Sequence, residues 1–144
     1  LAWHHMAFVL KMARDQPGAL QALKRALGIF RMLESRKFEA FVLYSICDLY
    51  LQSDRARDSM PLAEELLASF QDAGLGGVHL VMAATLQARA HMLVGDARKA
   101  LEVSRQAIDS CARPGGRKSE AVARMLFAYI ALRGECEQED WREA

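Results

Sequence analysis

"GDARKALEVSRQAI", residues 95–108, is the stretch from which the rest of the chain can be read. Gly95 and Asp96 punctuate the chain in the way that ends one helix and starts the next. Beyond them Ala100, Leu101, Ala107 and Ile108 recur at helical spacing, small beside large. Two helices that cross closely need a small side chain where their backbones approach and bulky apolar ones in the seams beside it. The pattern is therefore that of a helix built to lie against another helix.

The same alternation stands about forty residues earlier, in Ser59, Met60, Ala63, Leu66, Leu67 and Phe70. It stands forty earlier again in Ala19, Leu20, Leu23, Ala26, Leu27 and Phe30. Between these segments runs a second recurring motif of large, large, small, large: Trp3, Met6, Ala7 and Leu10, then Leu43, Ile46, Cys47 and Tyr50. Its third copy, Ala84, Gln87, Ala88 and His91, is weaker. "SEAVARMLFAYIALR", residues 119–133, supplies a fourth, and "EDWREA", residues 139–144, reads as the opening of one more helix. Breakers divide the helices at "DQPG" (15–18), "SDRARD" (53–58), "DAGLGG" (72–77), "GD" (95–96) and "RPGGRK" (113–118). Pro17 and Pro61 are expected in the first turn of their helices, where no amide is needed. The reading is seven full helices and the start of an eighth, with no strand. "FVLYSI" (41–46) has strand-like composition but helical spacing around it.

Composition agrees. Hydrophobic residues make up 52% of the 144 and charged residues 26%, which belongs to an ordered protein and excludes a disordered or collagen-like chain. Nineteen basic and eighteen acidic side chains leave +1, so bulk charge gives no reason to expect nucleic acid or an acidic membrane as a direct partner. Residues 1–57 hold nine basic and five acidic groups, and residues 58–144 hold ten and thirteen, a mild polarity of +4 against −3 suited to solvated surface. The longest uncharged run, 73–88, is interrupted by "GLGG" and too short for a membrane span. Cys47, Cys111 and Cys136 are odd in number and far apart, which argues against a disulfide framework or zinc knuckle and for a reducing, intracellular and cytoplasmic setting.

These residues resemble the tetratricopeptide-repeat family across nearly the whole chain. Its pattern places W-x2-L-G-x2-Y on a first helix and A-x3-F with further small residues on a second. The period of about forty departs from the family's usual length of about 34, and is similar to the longer-helix variants in kinesin light chains and in bacterial regulators of the maltose-activator type; HEAT and armadillo repeats share that length. The resemblance implies an all-α fold: a right-handed α-solenoid of antiparallel helix pairs, about three and a half repeats long. It forms one domain, 1–144, with repeats at 1–35, 36–75, 76–116 and 117–144. A chain that starts at Leu1 and stops inside a repeat is expected to be part of a longer array. Its uncapped ends are then expected to offer a route to self-association.

Chemical sites are not expected. His4 and His5 lie about 100° apart around a helix and cannot converge on one ion, and His79 and His91 are also out of register. "GLGGVH" (74–79) lacks the third glycine of a dinucleotide loop and follows no strand, so it reads as a turn between repeats. Glu64 and Glu65 point apart, and no serine has the neighbours of a nucleophile elbow. No enzyme activity, metal or cofactor is expected.

The resemblance implies instead a binding groove. In that family the first helices of successive repeats line a concave surface, their second, fifth, ninth and twelfth positions facing inward. Transferred here these are Leu1, His4, Phe8 and Lys11; then Phe41, Tyr44, Asp48 and Leu51. Met82, Thr85, Arg89 and Met92 follow, and the last helix adds Val122, Met125 and Tyr129. An aromatic- and methionine-rich set suits a partner peptide or helix with apolar anchors and a few charges. The lysines and asparagines with which some members clamp an acidic chaperone terminus are missing, so that partner is not expected. The implied function is a non-enzymatic protein-interaction scaffold. The alternatives are a ligand- or domain-sensing regulatory module of a larger regulator, or a structural subunit of an assembly.

Overall fold

In the computed structural model residues 15–111 and 117–143 are described, with side chains in the second stretch from Lys118 to Arg133. Six helices form there: α1 Gln16–Met32, α2 Arg36–Gln52, α3 Ala56–Asp72, α4 Val78–Leu93, α5 Ala97–Cys111 and α6 Arg117–Glu143. Among the described residues there is no strand, and no helix is long and apolar enough to cross a membrane. The helix expected over the first residues lies outside the described stretch.

Four of the turns close in one way. At the end of α1, Glu34 N–H donates to the Arg31 carbonyl (3.1 Å) and Ser35 N–H to that of Phe30 (2.9 Å). At the end of α3, Gly74 donates to Gln71 (3.0 Å) and Leu75 to Phe70 (2.8 Å). At the end of α4, Gly95 donates to Met92 (3.1 Å) and Asp96 to His91 (2.8 Å). After α2 the bond that spans five residues recurs, from Arg55 to Tyr50 (2.9 Å). Each closure satisfies carbonyls that the helix end would otherwise leave orphaned, and each needs a left-handed residue. Those residues are Glu34 (φ 51°), Asp54 (φ 55°), Gly74 (φ 68°) and Gly95 (φ 81°). Asp96 then restarts the chain by accepting the Lys99 N–H (3.0 Å), which gives "GD" its structural meaning. Asp15 caps α1 in the same manner through the Gly18 N–H (3.0 Å).

Connections this short turn each helix back against its predecessor. Every consecutive pair from α1 to α6 is in contact, and α2 also touches α4, which touches α6. The core is where the alternation of small and large residues falls. Ala19, Ser59 and Ala100 are buried, as are Leu23, Ala63 and Ser104; Ala26, Leu66 and Ala107; and Phe30, Phe70 and Cys111. Each trio occupies one position on α1, α3 and α5. The buried hydroxyls stay paired within their own helices, Ser59 Oγ donating to the Ala56 carbonyl and Ser104 Oγ to that of Ala100, both at 2.8 Å. On α4 the buried residues Ala83, Ala84, Ala88 and Ala90 hold side-chain volume low where four neighbouring helices approach.

A buried carboxylate ties the first three helices together. Glu39 on α2 has a side chain only 5% exposed and accepts from Arg31 Nε of α1 (3.0 Å) and Arg36 Nη1 (3.2 Å). Arg31 also reaches Glu65 on α3. Two paired cations are what make such a buried charge tolerable.

Two expectations are corrected. Pro61 stands six residues into α3 rather than in its first turn, so the Arg57 carbonyl loses its helical donor. Both residues are exposed, which leaves that carbonyl near water, while Ser59, Ala63 and Leu66 anchor the same helix in the core. Residues 139–143 do not open a new helix either: α6 runs through Gly134 to Glu143 and simply continues there. One glycine weakens a helix by about 1 kcal/mol, and with good helix formers on both sides and no proline this does not end it.

Candidate functional site

The even-numbered helices α2, α4 and α6 bring their equivalent positions next to one another. Asp48 of α2 and Arg89 of α4 form an ion pair, Arg89 Nη1 donating to Asp48 Oδ1 at 3.3 Å. The other Asp48 oxygen accepts from Gln52 Nε2 at 2.6 Å. Tyr44, one turn before Asp48, is half-buried, and its phenol is pushed above its ordinary range, first by burial and then by the Asp48 charge, with Arg89 pulling the other way. Sequence reasoning placed these three side chains on one surface, and they share one electrostatic neighbourhood.

From Arg89 the surface drops into a cleft of about 260 Å³. Leu51 of α2, Met92 and Leu93 of α4, and Leu126, Tyr129, Ile130 and Arg133 of α6 complete its lining. Ile130 and Leu51 are buried at its base, Tyr129 is 54% exposed, and the Arg133 guanidinium stands 5.7 Å over the Tyr129 ring. Of the expected groove residues the cleft takes Leu51, Arg89, Met92 and Tyr129. Leu93, Leu126, Ile130 and Arg133 were not singled out from sequence. They lie one, three or four residues from ones that were, so extending the chosen helix face by a turn would have reached them.

The remaining expected residues have varied surroundings. Phe41 packs into the core margin, its ring edge-on to Phe70 (6.0 Å) and to His79 (5.7 Å). The Thr85 hydroxyl is turned back on its own helix, donating to the Val81 carbonyl at 2.7 Å. Met82 is half-buried, whereas Met125, 71% exposed, and Val122 stand out from α6. His4, Phe8 and Lys11 lie outside the described residues.

Among the described residues, the reactive side chains near this face are buried or held in other contacts. The Cys47 thiol is pushed up to about 12 by burial, with the Glu65 and Asp48 charges adding to it, and so stays protonated and unreactive near neutral pH. His79 is spent in the aromatic cluster, and His91 is buried at the end of α4 with no hydrogen-bond partner for Nδ1. Among the described residues no three His, Cys, Asp or Glu side chains gather in a way that could hold a metal ion. A second depression of about 600 Å³ lies between α1 and α2, where Arg55 stacks over the Tyr50 ring at 4.7 Å and Ser53 donates to Gln16 at 2.8 Å. Comparison with protein-family models, with curated proteins and with solved structures gives no match to this chain.

Proposed function

We propose that this chain is a non-enzymatic protein-interaction scaffold: a tetratricopeptide-like, right-handed solenoid that receives a peptide or helix of a partner along the face of α2, α4 and α6. The observation that carries this is the alignment of equivalent positions on successive even helices. Asp48 meets Arg89, and Arg89 shares a cleft with Tyr129. An array that repeats its register in this way offers a continuous strip of matched positions, which suits an elongated partner better than a single enclosed pocket suits a substrate. The exposed Met125 and Tyr129 beside that strip supply adaptable apolar contact.

Photo-crosslinking tests the reading. A benzophenone amino acid is placed at Met125 on the proposed face, and at Arg98 on the exposed side of α5 as control, in cells that naturally make the protein. Discrete protein adducts at Met125 and none at Arg98 are expected. Equal adducts at both positions, or none at Met125, overturn it.

A further inference from the structure

Resting on this interaction reading, we infer that the cleft between α4 and α6 binds a partner segment in which a bulky aliphatic side chain is flanked by carboxylates. Size is the first argument. About 260 Å³ accommodates one or two side chains and falls below the roughly 300–1,000 Å³ of dedicated small-molecule sites, so a protruding part of a polypeptide fits it better than a separate metabolite.

The lining supplies the chemistry. Leu51, Met92 and Ile130 make an apolar base on which no polar group of a ligand would find a partner. Arg89 and Arg133 stand at the same cleft, and among the described residues no acidic side chain lines it. Arg89 has one N–H on Asp48 at a long 3.3 Å, and its side chain stays 43% exposed. A guanidinium offers five donors in a fork that matches a carboxylate, so a bidentate carboxylate from outside complements it while the Asp48 contact persists. Arg133, set over the Tyr129 ring, presents a second cation to the same visitor. A lysine- or arginine-flanked segment meets two like charges here, and charge complementarity across the interface is what selects the acidic one. The apolar base disfavours a nucleic acid, whose phosphates would find the cations but whose sugars would find nothing.

The probe is a fluorescein-labelled peptide with a Glu-Leu-Leu-Glu centre between Gly-Ser flanks, titrated into the full chain by anisotropy. Comparators are the same peptide with Glu-Ser-Ser-Glu or Lys-Leu-Leu-Lys at its centre, and a single-stranded oligonucleotide. Binding at least about tenfold tighter than every comparator is expected. Arg133→Glu and Leu93→Ser, both at exposed positions, should each weaken it about tenfold without moving the melting temperature. Equal binding of the Ser-Ser or Lys-flanked peptide, preference for the oligonucleotide, or indifference to both variants overturns the inference. Adducts at Met125 that persist under saturating Glu-Leu-Leu-Glu peptide also overturn it while leaving the interaction reading intact; absence of Met125 adducts removes that reading instead.

Discussion

Asp48 and Arg89 occupy the same position on two successive even-numbered helices and meet at 3.3 Å, with their side chains 17% and 43% exposed. Because Arg89 is well solvated, the pair contributes modestly to stability. A double-mutant cycle with Asp48→Asn and Arg89→Gln is expected to give a coupling of about 0.5–1 kcal/mol that shrinks with added salt. Tyr44 reports the same pair independently. Removing the Asp48 charge should bring its phenol pKa down, and removing that of Arg89 should raise it further, as followed by NMR of carbon-labelled tyrosine. Shifts in the same direction for both variants would show that Tyr44 does not sense the two charges.

The close-packed positions were legible in the sequence because their physical demand is local and strict. Ala19, Ser59 and Ala100 must be small wherever helices approach, and the spacing of about forty exposes them without any knowledge of the turns. The turn at Leu33–Ser35 was harder, since its left-handed residue is Glu34 rather than glycine and nothing in its side chain announces the conformation. Pro61 and the stretch from Glu139 misled in the opposite way: the first was expected at a helix start and stands inside α3, and the second reads as a new helix where α6 continues. On the candidate face, transferring single positions located Asp48 and Arg89. It could not show that Phe41 would stack on His79, because that contact depends on how the turn before α4 folds back.

Glu34 and Asp54 hold left-handed conformations that cost a side-chain-bearing residue roughly 1–2 kcal/mol relative to glycine, which Gly74 and Gly95 avoid at the equivalent turns. Glu34→Gly and Asp54→Gly should therefore each stabilise the protein, by up to about 1 kcal/mol after the extra freedom of the unfolded glycine is counted. Gly95→Ala should destabilise it. Chemical denaturation of the three variants checks the signs, and a loss of stability in both glycine variants would refute the strain argument.

His91 stands where α2 has Tyr50, buried, with Nδ1 lacking a partner. A buried polar atom left unsatisfied costs about 1–3 kcal/mol, so His91→Phe should raise the melting temperature despite changing the shape of the ring. A fall in melting temperature would mean that the imidazole is held by an interaction worth more than its burial cost.

Cys47 makes stability depend on alkaline pH. Unfolded, its thiol titrates near the ordinary value of 9.0, while in the folded chain the proton is held up to about 12. Between those values the native state binds the extra proton. The contribution of this group is thus complete below pH 9 and is lost as pH rises, at about 1.4 kcal/mol per unit. Urea midpoints from about pH 8 to about pH 11 should fall more steeply in the wild type than in Cys47→Ala, even though the variant starts from a lower stability because of the cavity it leaves. Parallel curves would assign the alkaline loss to other groups, Tyr44 and Cys111 among them.

Phe41 and Met125 were both expected in the binding groove, yet their surroundings predict opposite behaviour. Phe41 is wedged against Phe70 and His79 at the margin of the core, so Phe41→Ala removes packing as well as surface and should cost about 2–3 kcal/mol, below the usual 3–5 for a fully buried phenylalanine. Met125 projects from α6, and Met125→Ala should stay within about 0.5 kcal/mol of the wild type. Any loss of partner binding in the Phe41 variant is consequently confounded by loss of fold, whereas loss in the Met125 variant is attributable to the face itself. Urea denaturation and anisotropy titration with the Glu-Leu-Leu-Glu peptide, run side by side on the two variants, separate these effects. A stable Phe41→Ala protein would place that ring on the open surface and return it to the set of direct contacts.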